Sequence, residues 1–367
     1  MYCKSSKKTF LKFIITIFLF INCGYNQDDQ DEAFFDGPHV FYNSDSLIVN
    51  YYNFGVKELF QLSINDTNIF NGYFQDSVVT YFIPKKFSTP SDMYHKVDRI
   101  FVVSDIHGQN EIFRKLLFKS GIIDQNNTWI WEDGHLVILG DVFDRGDQVH
   151  EALWLIYDLE NQAREAGGKV HFLLGNHEIM VLQNDLRYVD KKYFTISEAI
   201  KIELTDLYEG DTFWGRWLRS KNFLTSIGPY LFVHGGIHPE LIKKYGSITE
   251  INRMMSDNID TERDVIRNDN NLSDLFRSKG PIWYRGFFEP DTLPEVSEDD
   301  LTDILEHFKV KKIIVGHTTQ DSVHISYGQR IINVDSGIKY GIHGEGLLIF
   351  KDQFYGVDSN GSQRILF

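Results

Sequence analysis

The chain has 367 residues, 42% of them apolar and 14% aromatic, and a formal net charge of -15. That is ample apolar material for a buried core, which argues against disorder over most of the length, and a surface this acidic disfavours nucleic acid as a partner. The only cysteines, Cys3 and Cys23, provide neither a disulfide framework nor thiolate ligands, so any metal must be held by His, Asp, Asn and water.

Residues 1–22 carry Lys4, Lys7, Lys8 and Lys12 ahead of the apolar run from Phe13 to Ile21. The run is too short for a comfortable membrane span and right for a signal-peptide core. Cys23 and an acidic stretch over 23–33 follow. The arrangement resembles a bacterial lipoprotein signal, with Cys23 as the lipidated residue and 23–33 as a tether, although Asn22 stands where such signals have a small residue. It implies export, as a periplasmic or outer-membrane lipoprotein or by ordinary secretion. The lipid on Cys23 would be the sole membrane attachment.

Residues 34–95 are rich in β-branched and aromatic residues between Asn, Asp and Gly, as in Ser46–Tyr52 and Leu59–Ile64, and predict a small β-rich extension. From residue 96 the pattern alternates. The runs Ile100–Val103, His135–Leu139 and Lys169–Leu174 predict strands, with helical spacing between them at Ile112, Leu116, Leu117 and again over Val149–Leu159. This predicts an α/β domain over 96–367 with a largely parallel sheet, buried on both faces. Residues 177–227 predict a helical cap insertion, Ile259–Lys279 a polar loop, 297–309 an amphipathic helix, and 331–367 strands with Gly-rich turns.

Five motifs each end an apolar run: Asp105-Ile106-His107, Gly140–Gly146, Gly175-Asn176-His177-Glu178, His234-Gly235-Gly236 and Gly316-His317. Singly, each reads as a turn. Jointly they supply ligands for two divalent cations. Asp105, Asp141 and Asn176 are expected one or two residues past a strand, where ligands gather in such sheets. If Asp105 and His107 leave an extended strand end, their side chains share a face. Asp141 can bridge two ions, one also held by Asp105 and His107, the other by Asn176, His234 and His317. Arg145 can grip a phosphoryl oxygen, His177 can protonate the leaving group, and Asp144 can orient His177. The chemistry expected is in-line attack of a hydroxide held between the two cations on a phosphate ester.

These motifs, in this order, resemble the calcineurin-like metallophosphatase superfamily, in its phosphoprotein phosphatase branch. The resemblance implies a four-layer αββα sandwich and the ligand set given above, with His177 as general acid, Asp144 as its partner, and Arg145 and Asn176 on the phosphate. Arg285, in Gly280–Gly286, would be a second phosphate-binding arginine. Leu174 before Gly-Asn-His-Glu departs from the eukaryotic Ser/Thr phosphatases. Pro281–Gly286, Gly316–Gln320 and Asp335–Gly337 look more like the Shewanella-like protein phosphatases, some of which favour phosphotyrosine. Thr319 stands where many phosphodiesterases of the superfamily have a further histidine, which points to monoesters.

The implied function is a phosphatase acting on phosphomonoesters, either phosphorylated proteins (Tyr or Ser/Thr) or small esters, with two Mn, Fe or Zn ions. The alternative is a dinucleoside polyphosphate or nucleotide hydrolase on the same scaffold. Eight histidines outside the motifs, among them His39 and His150, read as ordinary core or surface residues, Asp335 as a turn residue, and Trp214 and Trp217 as core.

Overall fold

The computed structural model describes residues 34–64, 67–74, 77–289 and 296–367. The signal segment, Cys23 and the tether lie outside these residues. β1 (Phe35–Asn43), β2 (Ser46–Asn53) and β3 (Val56–Ser63) form an antiparallel sheet, and β4 (Thr67–Phe74) pairs with β5 (Ser77–Pro84). The expected β-rich extension ends there. β6 (Met93–Tyr94), inside the stretch assigned to it, instead runs parallel to a strand of the main domain.

Next come β7 (Arg99–Val103), α1 (Asn110–Lys119), β8 (His135–Ile138), α2 (Val149–Glu165) and β9 (Lys169–Phe172), the expected alternation. Helices α3 (Asn176–Leu182), α4 (Lys191–Ile200) and α5 (Phe213–Arg219) lie in the expected insertion, joined by non-α segments. Its last residues are a strand: β10 (Leu224–Ile227) forms a hairpin with β11 (Tyr230–Val233).

α6 (Pro239–Lys244) and α7 (Ile248–Asp257) precede the stretch expected to be a polar loop. It contains two short helices, α8 (Arg263–Asn268) and α9 (Asn270–Phe276). Asp269 caps α9 by accepting from the backbone of Asn271 and Leu272, and Ile266, Leu272, Leu275 and Phe276 are buried. Few apolar residues suffice because each helix is only two turns long. α10 (Glu298–Phe308) starts at the Ser297 cap with three acids in its first turn, which suits the helix dipole. β12 (Lys312–Val315), β13 (His324–Ser326), β14 (Ile331–Asn333), β15 (Glu345–Phe350), β16 (Gln353–Asp358) and β17 (Gln363–Ile365) complete the chain.

Two six-stranded sheets result, ordered β13-β14-β12-β11-β10-β6 and β17-β16-β15-β7-β8-β9. Both are mixed. The parallel pairs are β7–β8, β8–β9, β11–β12, β12–β14 and β6–β10, and the remaining pairs are antiparallel. The expected largely parallel sheet is therefore corrected: the C-terminal strands return as hairpins and need no helical crossover. One apolar cluster takes Val102, Val137 and Leu347 from one sheet and Phe232, Ile314 and Ile332 from the other, so the sheets share a buried layer. Alternate residues, such as Phe101, Leu136, Val233 and Ile313, join a second cluster with the helices.

The N-terminal strands enter that second cluster, so the described residues pack as one unit. Tyr81 lies against Trp154 with ring centroids 4.8 Å apart. Asp36, on β1, accepts from Nδ1 of His150 on α2 at 2.8 Å and from Nε2 of His39 at 3.1 Å, and Nε2 of His150 meets the Tyr208 hydroxyl at 2.8 Å. His39 and His150 are thus core residues bonded to one buried carboxylate. Trp214 and Trp217 are core as expected.

Candidate functional site

All five motifs meet at one edge of the two sheets. Asp105 lies two residues past β7, Asp141 three past β8, and Asn176, four past β9, opens α3, so two of the three are further from their strands than expected. The loops keep pairing beyond the strands. Asp105 N donates to Gly140 O, His107 N to Asp141 O, and Gly146 N to His107 O. Gly316 N donates to His234 O, and His317 N donates to the Asp105 carboxylate at 2.9 Å, which ties the second sheet to the first.

The backbone here is not extended. Asp105, His107, Asp141, Asp144, Arg145 and His317 all have positive φ, between 48° and 72°. Non-glycine residues hold such conformations at about 1–3 kcal/mol each, and they concentrate at functional sites. The shared face expected for Asp105 and His107 from an extended strand end is therefore not how they meet. Left-handed turns aim them, and Oδ1 of Asp105 ends 4.0 Å from Nε2 of His107. Close packing makes small residues necessary: a Cβ on Gly140 would sit 2.3 Å from Gly175 N, and one on Gly316 would collide with Ser104 and Asp105.

Oδ2 of Asp141 is the centre of the cluster. It lies 3.7 Å from Nε2 of His107, 3.9 Å from Nε2 of His177 and 3.2 Å from Nε2 of His234. Nε2 of His234 is in turn 3.0 Å from Oδ1 of Asn176 and 3.2 Å from Nδ1 of His317. His107, Asp141 and His177 form one group able to hold a cation; Asp141, His234 and His317 form a second.

These residues fit divalent ions. Nδ1 of His107 lies 2.7 Å from Phe143 O and Nδ1 of His234 lies 2.7 Å from Leu139 O. A carbonyl only accepts, so both Nδ1 atoms carry a proton, and each Nε2, near Asp141, is the atom left to take a cation. Oδ1 of Asp141 accepts from His177 N at 2.9 Å, which leaves Oδ2 to be shared. Nε2 of His317 is buried with no partner among the described residues.

The charges compete strongly. Burial, reinforced by Asp335 and Asp141, pushes the Asp105 carboxyl up to about 8. Burial holds His107 down to about 3. Against burial, Asp141 raises His234 to about 9, while His234 and His177 hold Asp141 well below the usual carboxylate range. In the protein alone a proton on His234 balances the excess negative charge, and a bound cation would displace it.

His177 differs from the other members of these groups in the partner of its second nitrogen. Its Nδ1 is 2.5 Å from Oδ2 of Asp144. Burial opposes its charge, but Asp141 and Asp144 raise it above the ordinary histidine value. Arg145 is exposed beside it, anchored by its N–H to Tyr188 O, with its guanidinium over the Tyr188 ring. Arg285 is partly exposed, pairs with Glu289 at 3.3 Å, and lines a cavity of about 350 Å³ together with Asn176.

Three residues at the site were given no part in its chemistry by the sequence. Glu178 accepts from the backbone of Asp141, Val142, Phe143 and Gly175 at 2.7–3.3 Å, and so locks the β8 loop to the start of α3. A Glu three residues after a helix-capping Gly was the available signal. Tyr188 packs on both His177 and Arg145, with no local pattern to announce it. Asp335 holds Thr319 Oγ1 at 2.7 Å and Gly337 N at 3.1 Å, the turn role expected, yet its charge reaches Asp105.

The calcineurin-like phosphoesterase family model matches residues 98–321, more than half of the chain and all five motifs. The chain belongs to this family. It is accordingly a hydrolase of phosphate esters, of a family that uses a dimetal centre. Its fold is similar to that of the cold-active protein-tyrosine phosphatase of a psychrophilic Shewanella species, with a TM-score of 0.82 and 36% identity over 91% of this chain and 99% of that one. It is 28% identical over 331 residues to Shewanella-like protein phosphatase 2 of Arabidopsis thaliana, covering 73% of this chain and 81% of the relative. It is also 28% identical over 258 residues to Shewanella-like protein phosphatase 1 of Plasmodium berghei, covering 64% and 67%.

Proposed function

We propose that the protein is a metal-dependent phosphomonoesterase acting on phosphotyrosine in proteins. The observation that carries the phosphomonoesterase reading is the placement of His177. Nε2 lies 3.9 Å from the shared Asp141 oxygen, and Nδ1 is held by Asp144. The tyrosine preference rests on likeness to the Shewanella tyrosine phosphatase.

Asp105, His107 and Asp141 would hold one divalent ion, and Asp141, Asn176, His234 and His317 the other; Mn, Fe and Zn all suit this donor set. When bound, the ions supply a nucleophile at neutral pH and neutralise charge on the phosphoryl group. The protein's own residues do the rest. Arg145 and Arg285 bind phosphoryl oxygens, and the Asn176 amide contributes a donor. Asp144 holds the Nδ1 proton of His177, so the proton delivered to the leaving oxygen comes from Nε2. Burial pushes the Asp144 carboxyl above its ordinary value, and the bond to His177 works against that rise.

Phosphopeptides of one sequence carrying phosphotyrosine, phosphoserine or phosphothreonine, run beside a dinucleoside tetraphosphate, test this. Phosphotyrosine should give the highest kcat/KM. Preference for the nucleotide would overturn the protein-phosphatase reading. Export, with lipidation at Cys23, is proposed from the leader alone; retention of activity in the cytoplasmic fraction of the native cell would contradict it.

A further inference from the structure

We propose that the cavity shared with Asn176 and Arg285 is a recognition site for an acidic residue flanking the phosphotyrosine of a peptide substrate. This rests on the phosphotyrosine reading above and deepens it.

The cavity encloses about 350 Å³. That volume is large beside a phosphoryl group and sits at the lower end of the range for ligand pockets. Asn176 and Arg285 make it continuous with the catalytic cluster, so residues flanking a bound phosphotyrosine have it within reach. Its apolar walls come from Ile179 and Met180 on α3, Ile266 on α8, Phe276 on α9, and Trp283. Trp283 also meets His317 edge-on, with ring centroids 5.7 Å apart. These walls suit the apolar part of a peptide, and they carry no carboxylate.

The charged lining is all cationic. Arg263 and Arg277 face the same cavity as Arg285. Arg263 bonds Asp185 at 2.5 Å, but Asp185 is already gripped by Arg187 at 2.7 and 2.8 Å, so one carboxylate serves two guanidiniums. Arg277, exposed just past the end of α9, has no ion pair or side-chain hydrogen bond among the described residues. The cavity therefore carries uncompensated positive charge in a chain whose net charge is -15. Such a local reversal of sign favours an anionic partner and suppresses basic ones. A carboxylate beside the phosphoryl group is the matching chemistry, because the phosphate itself would already be served by Arg145, Arg285 and the Asn176 amide.

The experiment compares two phosphotyrosine peptides that differ only in two adjacent residues, Glu-Glu or Gln-Gln, on the wild-type protein and on Arg277→Glu. A small aryl phosphate is the control for folding and chemistry. Wild type should favour the acidic peptide by about 5-fold in kcat/KM, the size of one exposed ion pair, and the preference should shrink with added salt. Arg277→Glu should abolish it through KM, with kcat and aryl phosphate turnover unchanged. Equal kcat/KM for the two peptides in wild type would overturn the inference and leave the phosphotyrosine reading standing. An equal loss on peptide and aryl phosphate in Arg277→Glu would also overturn it. If neither peptide is cleaved while the aryl phosphate is, the protein-phosphatase reading fails and this inference with it.

Discussion

Nδ1 of His177 and Oδ2 of Asp144 are 2.5 Å apart, both buried, at the edge of the cluster centred on Asp141. The contact decides which imidazole nitrogen keeps its proton and holds the ring in one orientation. Asp144→Asn keeps the shape but weakens the hold on the charged ring. We expect kcat on an aryl phosphate to fall about 10- to 100-fold with metal content intact. Steady-state kinetics with metal analysis of the same preparation checks this.

Glu178 touches no substrate, yet it satisfies four backbone N–H groups at once. Glu178→Ala leaves them buried and unpaired, and each such group costs about 1–3 kcal/mol. The variant should unfold at markedly lower denaturant concentration and bind metal weakly, because the Asp141 loop loses its anchor. Unchanged denaturation with full metal content would contradict this role.

The Asp36–His150 contact fastens β1 to α2 across 114 positions. Burial works against the Asp36 charge, but His150 and His39 hold its carboxyl well below the ordinary 3.8. A depressed folded-state value means the stabilisation is fully present above the unfolded value. It fades below about pH 4, as the unfolded chain takes up its proton, and is lost once the folded value is passed. Asp36→Ala should cost about 3–5 kcal/mol near neutrality and flatten the acid limb of the stability curve. Deleting residues 34–84 should prevent folding, since these strands share the main core. Chemical denaturation across pH measures both.

Asp141 serves both cation groups, whereas His317 serves one. Asp141→Asn should therefore lose both ions and nearly all activity. His317→Ala should keep one ion and lose the same activity. Chelation should abolish turnover in the wild type, with recovery on adding Mn, Fe or Zn. Elemental analysis per chain gives the stoichiometry; equal metal loss in the two variants would contradict the sharing.

The strands that carry the first three motifs were legible because each is a short, continuous apolar run, and the polar residue that follows has nowhere to go but the sheet's edge. Pairing direction was not legible. β15 lies antiparallel to β7 although some 245 residues separate them, and no local pattern encodes that. The positive φ of Asp105 and Asp141 was hidden for a related reason: aspartate tolerates the left-handed region, so its presence does not require it. His39 and His150 were read as ordinary because a cluster assembled from distant segments leaves no spacing to notice. α8 and α9 escaped notice because two-turn helices bury too few residues to show a period.

Protonation of the leaving oxygen by His177 is tested most directly by leaving-group dependence. Wild type and His177→Asn are compared on aryl phosphates that differ only in the acidity of the departing phenol, with metal content measured alongside. The variant should keep its metal and lose about 100-fold or more on the least acidic phenol, and far less on the most acidic, which can depart unprotonated. An equal loss across the series, or a loss that follows missing metal, would contradict it.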